Sequence, residues 1–146
     1  MSMHFVPVTV LVMEDEPLIR WVLVETLSDA GHIAVEAPDG ARGLRAVATT
    51  PRPFDVIFLD FRLPDSNDLA LLAAIRTSAP RSAVVLMTAS GTPEILAEAH
   101  QLGVYRVLNK PFDLVDVHNI VAEVSAAPRK PVDTRSACWI THALAH

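Results

Sequence analysis

The residues able to do chemistry stand where apolar runs end. Val8 to Met13 is a short run rich in β-branched residues that leads into Glu14-Asp15-Glu16. Val56 to Leu59 leads into Asp60, Ala83 to Met87 into Thr88, and Arg106 to Leu108 into Asn109-Lys110. In an open parallel sheet the ligand site lies beyond the carboxyl ends of the strands, so these polar residues should converge on one edge. Neighbouring strands lie ~4.8 Å apart, so Glu14 and Asp15 meet Asp60 if their strands are adjacent. Clustered carboxylates repel unless a proton or cation intervenes, and oxygen-only ligation completed by water suits Mg²⁺, or Mn²⁺ in its place. A carboxylate at such a site can attack a phosphoryl group covalently. The transferring group spreads negative charge over its oxygens, and Lys110 can supply a cation to stabilise it. The Thr88 hydroxyl can donate a hydrogen bond to a phosphoryl oxygen, a contact available only in the modified state, which makes Thr88 the expected reporter.

Positioning these groups requires regular alternation of strand and helix. Pro17 suits the first residue of a helix, and Ile19, Val22, Leu23, Thr26 and Leu27 form one amphipathic stripe that stops at Gly31. Ile33 to Val35 reads as a second strand, and Asp39 as the cap of a helix through Ala48. The apolar run before Asp60 suits a strand buried on both faces, as in a parallel sheet. After Arg62-Leu63-Pro64-Asp65 a helix is expected from about Ser66 to Thr77, with Leu69, Leu72, Ala73 and Arg76 on one side. Thr92-Pro93-Glu94 opens another helix, which runs to Leu102 and ends at Gly103. Asp113 is expected to cap a last helix with Val117, Ile120, Val121 and Val124 inward. Strict alternation of this kind implies an α/β fold with a parallel sheet, right-handed crossovers and helices on both faces.

Composition limits the alternatives. With 146 residues, 51% apolar and 20% charged, the chain fits a single globular domain. A net charge of -5 leaves no basic footprint for nucleic acid. Cys138 is the sole cysteine, which excludes an internal disulfide and a thiolate metal cage and fits a cytoplasmic protein. No apolar run approaches the ~20 residues of a membrane span, and the start does not read as a secretory signal. The pattern fails from about Ala126, so the expected domain covers residues 1–127 and residues 128–146 are expected to form a flexible tail. Trp139, Ile140 and Leu144 allow a sharper reading in which the tail docks on its own domain or on a partner.

Four segments at strand ends resemble the receiver domains of bacterial response regulators: Val12 to Pro17, Ile57 to Asp65, Leu86 to Ala89 and Asn109 to Phe112. The resemblance spans about Val8 to Val124. It implies a flavodoxin-like, doubly wound (βα)5 sandwich, with a five-stranded parallel sheet of order 2-1-3-4-5. It implies Asp60 as phosphoacceptor, Glu14 and Asp15 as metal-binding acids, and Lys110 gripping the phosphoryl group. The backbone carbonyl of Arg62 would complete the metal site, and the bond before Pro111 would be cis. A histidine kinase or phosphotransfer protein would supply the phosphoryl group, a downstream protein not identified by the sequence would read it, and homodimerisation stays open. The chain would catalyse only its own phosphorylation and dephosphorylation.

Three positions depart from the family pattern. Glu14 stands where Asp is commoner, and its extra methylene should still reach a metal. Val107 occupies the place of a switching aromatic; Tyr105, on the same strand face by alternation, is the less favoured substitute. Asp68 replaces a glycine in the loop after Asp60. Glu16 reads as a helix cap rather than a ligand, the histidines lack ligand spacing, and Trp21 falls off the inward stripe. An aspartate-dependent phosphatase would need a second Asp where Arg62 stands, and no Walker or Gly-x-Gly-x-x-Gly loop supports a nucleotide enzyme. The remaining alternative is a degenerate receiver that binds a partner without phosphorylation. The favoured expectation is a stand-alone phosphorylatable receiver whose output is a protein contact.

Overall fold

A computed structural model describes residues 6–127. Cys138, Trp139, Ile140 and Leu144, and with them the expected tail, lie outside the described residues. The elements run β1 (Thr9–Met13), α1 (Pro17–Asp29), β2 (Ile33–Ala37), α2 (Gly40–Thr49), β3 (Val56–Asp60), α3 (Ala70–Ser78), β4 (Ala83–Thr88), α4 (Pro93–Gln101), β5 (Arg106–Asn109) and α5 (Leu114–Ala126). The strands form one sheet in the order β2-β1-β3-β4-β5, and every pairing is parallel. This is the flavodoxin-like doubly wound arrangement expected from the sequence.

Period-two alternation along the central strands builds two cores from one set of residues. Leu11, Met13, Ile57, Leu59, Val84 and Leu86 face Leu71, Leu72 and Ile75 of α3 and Ala99 of α4. Val10, Val12, Val56, Phe58, Val85 and Met87 face Leu23 and Leu27 of α1 and Val117, Ile120 and Val121 of α5. A strand covered on both sides needs apolar residues at every position, and β3 is buried along its whole length. The edge strands β2 and β5 are covered less completely and admit Glu36, Arg106 and Asn109.

Helix ends follow the expected chemistry with local exceptions. Asp39 accepts from the Arg42 N–H at 2.8 Å, and Thr92 accepts from the Ile95 N–H at 3.2 Å. Glu16 caps α1 by accepting from the Leu18 N–H, as expected of a capping acid. Gly31 and Gly103 take φ of 91° and 84°, the left-handed turn that a glycine allows after a helix. Asp113 holds the N-cap position of α5 but makes no side-chain cap bond.

The largest departure is α3, which starts at Ala70 rather than near Ser66. Leu63 and Ser66 pair with each other through both backbone N–H groups, and the Asp68 carboxylate accepts from the Ala70 N–H at 2.9 Å. Leu63, Ser66 and the Asp68 carboxylate thus bond locally in a turn that competes with an earlier helix start. The later start turns Leu71, Leu72 and Ile75 inward, whereas Ala73 and Arg76 are only partly covered. No non-glycine residue among those described has positive φ, so Asp68 fits the former glycine position without backbone strain.

The same loop is fastened to α2. Asp65 accepts from the N–H groups of Gly40 at 2.8 Å and Ala41 at 2.9 Å, two donors that the start of a helix leaves unpaired. These bonds hold the Asp65 carboxyl below its ordinary value. A depressed value means that the stabilisation is present above pH 3.8, the ordinary value, and is lost as pH falls through the folded-state one. Asp65→Ala should lower stability by ~1 kcal/mol at neutral pH, the usual cost of losing a cap. The gap should narrow in acid, as urea unfolding of both chains at neutral pH and well below pH 3.8 will measure.

Candidate functional site

The carboxyl ends of β1, β3, β4 and β5 bring Glu14, Asp60, Thr88 and Lys110 to one edge. The register pairs Met13 with Leu59, Asp60 with Met87 and Thr88 with Asn109, so each chemical residue sits one step from its neighbour's strand end. Two backbone bonds tie these ends together: the Phe61 N–H donates to the Met87 carbonyl and the Lys110 N–H to the Thr88 carbonyl, each at 2.8 Å. The bond between Lys110 and Pro111 is cis, as the family resemblance implied.

Glu14, Asp15 and Asp60 each offer a carboxylate oxygen, and these oxygens lie within 4.8 Å of one another. Glu14 is wholly buried, Asp60 almost so, and Asp15 is exposed at the rim. The Lys110 ammonium lies between the two buried acids, donating to Glu14 Oε1 at 2.6 Å and to Asp60 Oδ2 at 3.1 Å. Their second oxygens accept backbone N–H groups, Glu14 Oε2 from Glu16 and Asp60 Oδ1 from Arg62, both at 3.1 Å. The Arg62 backbone therefore turns immediately beside Asp60. Thr88 is buried, and its Oγ1 accepts from the Ser90 N–H at 3.2 Å in the loop after β4.

An ion held here would meet oxygen ligands alone, and each carboxylate oxygen already accepting one bond retains a further lone pair. That donor set fits Mg²⁺ or Mn²⁺, which keep several waters and need few direct protein ligands. Among the described residues this is the one group of acids, histidines or cysteines arranged to hold a metal.

Burial pushes the Glu14 carboxyl up to about 7, and the neighbouring Asp60 adds to the rise against the opposing pull of Lys110. Burial alone would lower the Lys110 ammonium, but its bonds to Glu14 and Asp60 outweigh that and leave it above its ordinary value. The cluster thus favours a proton on Glu14 and a charge on Lys110, the response of a carboxyl crowded by another acid in a poorly solvated place.

Sequence reasoning singled out Glu14, Asp15, Asp60, Thr88 and Lys110, and the fold gathers them. It missed Arg20, whose guanidinium donates to the backbone carbonyls of Glu14 at 2.9 Å and Asp15 at 3.4 Å and pairs with Glu36 at 3.1 Å. A signal was available: a cation within the opening turns of α1 opposes the helix dipole and so needs another partner. The less favoured substitute for the missing aromatic is engaged at the surface. Tyr105 precedes β5, is 40% exposed and donates its hydroxyl to Glu123 on α5 at 3.0 Å, while the Arg106 guanidinium lies 5.5 Å from its ring centre. Val107 is half-buried and packs with the core that contains Leu86.

Five parallel strands in this order, with acids and a lysine gathered at their carboxyl edge, are the arrangement of the receiver class. Residues 10–122 match the family described as "Response regulator receiver domain", and the chain belongs to that family. It is 39% identical over 106 residues to the DNA-binding transcriptional regulator NtrC of Escherichia coli K12, covering 72% of this chain and 22% of that protein. The chain thus matches only about a fifth of the length of such regulators. It is 28% identical over 123 residues to a probable chemotaxis protein CheY of Rhizobium etli, covering 82% of this chain and 94% of that protein. Among solved structures, the receiver domain of NtrX from Brucella abortus superposes with a TM-score of 0.72 at 30% identity, covering 82% of this chain and 99% of that one. The chemotaxis response regulator CheY4 of Vibrio cholerae gives a TM-score of 0.72 at 26% identity over the same shares. No described helix is long and apolar enough to cross a membrane.

The raised Glu14 value makes a testable statement about pH. Because it lies above the ordinary 4.5, the stabilisation is complete below pH 4.5 and is lost as pH rises through about 7. In chelator, the unsubstituted chain should lose stability across that interval, whereas Glu14→Gln, neutral throughout, should show a flatter profile. Urea midpoints on either side of the interval measure the difference; equal slopes would contradict the assignment.

Proposed function

We propose that the chain is a phosphoacceptor of a two-component or phosphorelay system, modified on Asp60 with a divalent cation. One observation carries this reading: carboxylate oxygens of Glu14, Asp15 and Asp60 lie within 4.8 Å of one another, and Lys110 donates to the two buried ones. Receiver domains act in general as signalling modules rather than as enzymes on other substrates. The donor is a phosphohistidine on a histidine kinase or phosphotransfer protein, in keeping with the NtrC and CheY relatives.

In the transfer, an Asp60 carboxylate oxygen attacks phosphorus, the new P–O bond forms as the P–N bond to the donor imidazole breaks, and the imidazole leaves and recovers a proton. Glu14, Asp15, Asp60 and the Arg62 carbonyl would hold the Mg²⁺ or Mn²⁺, which supplies charge neutralisation at the phosphoryl oxygens. Lys110 shifts from the free Asp60 carboxylate to the phosphoryl oxygens, keeping its charge against theirs. The Thr88 hydroxyl donates to the same group while its other lone pair keeps the Ser90 bond. The output is a contact with a second protein on the surface of α4, β5 and α5, where Tyr105, Arg106 and Glu123 form a fixed polar cluster. The degenerate-receiver reading is not favoured, because the acids, threonine and lysine are all present and gathered.

Incubation with Mg²⁺ and a small phosphodonor, read by intact mass, should add a single phosphoryl group to the chain. Asp60→Asn should add none, and chelation should abolish the reaction. Lys110→Ala should leave part of the modification but weaken the conformational response, read by amide exchange in the loop after β4. A phosphoryl group that survives Asp60→Asn would sink the assignment.

A further inference from the structure

Arg20 stands six residues beyond Glu14, yet it leaves the carboxylates of that loop alone. Its Nη1 donates instead to the backbone carbonyls of Glu14 and Asp15, at 2.9 and 3.4 Å, and its Nε to Glu36 Oε1 at 3.1 Å. The Arg20 side chain is 18% exposed, against 55% for Glu36, so the clamp is drawn into the protein rather than lying loose on its surface. From the other side, the Glu14 N–H donates to the Ala37 carbonyl at 3.1 Å. The peptide that carries the acids is thus gripped at its N–H by the end of β2 and at its carbonyls by α1. Lys110 and Arg20 divide the work: Lys110 holds carboxylates, and Arg20 holds the backbone from which two acids project.

We propose that Arg20, braced by Glu36, is a positioning residue that presets the Glu14-Asp15 peptide for divalent cation binding. The inference rests on the metal-assisted reading above and deepens it. A planar guanidinium can serve two carbonyls and a carboxylate from one fixed orientation, whereas a lysine ammonium on a flexible stem cannot reproduce that fork. Simple electrostatics points the other way. A positive charge this close to the acids repels an incoming cation, so on charge alone its removal should tighten metal binding. The sign of the change therefore separates positioning from charge.

Free Mn²⁺ in titrations of the full chain, counted by electron paramagnetic resonance, reads affinity without reference to phosphorylation. Arg20→Lys keeps the charge and loses the fork, and it should weaken Mn²⁺ binding by roughly tenfold, the lower range for losing a group that orients metal ligands. Arg20→Ala should weaken it too, despite removing a repulsive charge. Glu36→Gln should give a smaller loss in the same direction. Urea unfolding in chelator confirms that each variant is folded, and phosphorylation at saturating Mn²⁺ should return towards that of the unsubstituted chain. Arg20→Lys binding Mn²⁺ as tightly as the unsubstituted chain, or Arg20→Ala binding it more tightly, would overturn the role assigned to Arg20 alone. Failure of the unsubstituted chain to bind Mn²⁺ would overturn the metal-assisted reading and this inference with it.

Discussion

The pairing of the Lys110 ammonium with the buried carboxylates of Glu14 and Asp60 is the interaction around which this edge of the protein is organised. Two carboxylates removed from water next to each other cannot both carry charge at acceptable cost without a cation or a proton. Lys110 supplies the cation at 2.6 and 3.1 Å, and backbone N–H groups take the remaining oxygens. The ammonium and the two carboxylates come from three different strand ends, so the interaction exists only if β1, β3 and β5 finish at the same level. The parallel register ensures that they do.

That register depends in turn on apolar residues far more numerous than the polar ones they position. The central strands are covered on both faces, and a slip by one residue would exchange the side chains that face α1 and α5 with those that face α3 and α4. The loops beyond the strands have less apolar cover and are held by polar bonds instead. Asp65 fastens the loop after β3 to α2, Arg20 fastens the loop after β1, and the Lys110 N–H joins the loop after β5 to Thr88.

The surroundings of Thr88 show how this receiver differs from the pattern suggested by resemblance. An aromatic side chain at position 107 would sit on β5 opposite Leu86, but valine fills that place as part of the core. The nearby aromatic, Tyr105, is occupied with Glu123 and Arg106 at the surface. The Thr88 side chain instead meets the loop after β4. Its hydroxyl accepts from Ser90, and a side-chain carbon at Gly91 would come within 3.3 Å of the Thr88 methyl.

The sequence alone carried the alternation of strand and helix, the strand ends where chemistry would lie, and the acids, threonine and lysine there, because burial on two faces and helix capping leave periodic and local traces. It did not carry the true start of α3, since the Leu63-Ser66 turn competes with the helix locally and the Asp65 bonds to α2 join segments whose contact no local pattern records. Nor did it expose Arg20, whose partners are backbone carbonyls and a glutamate on β2, or show that the Tyr105 hydroxyl turns to Glu123 on α5. Local periodicity determines what an element is and which face is apolar; which polar groups meet across elements is decided only when tertiary packing brings distant segments within the ~3 Å reach of a hydrogen bond.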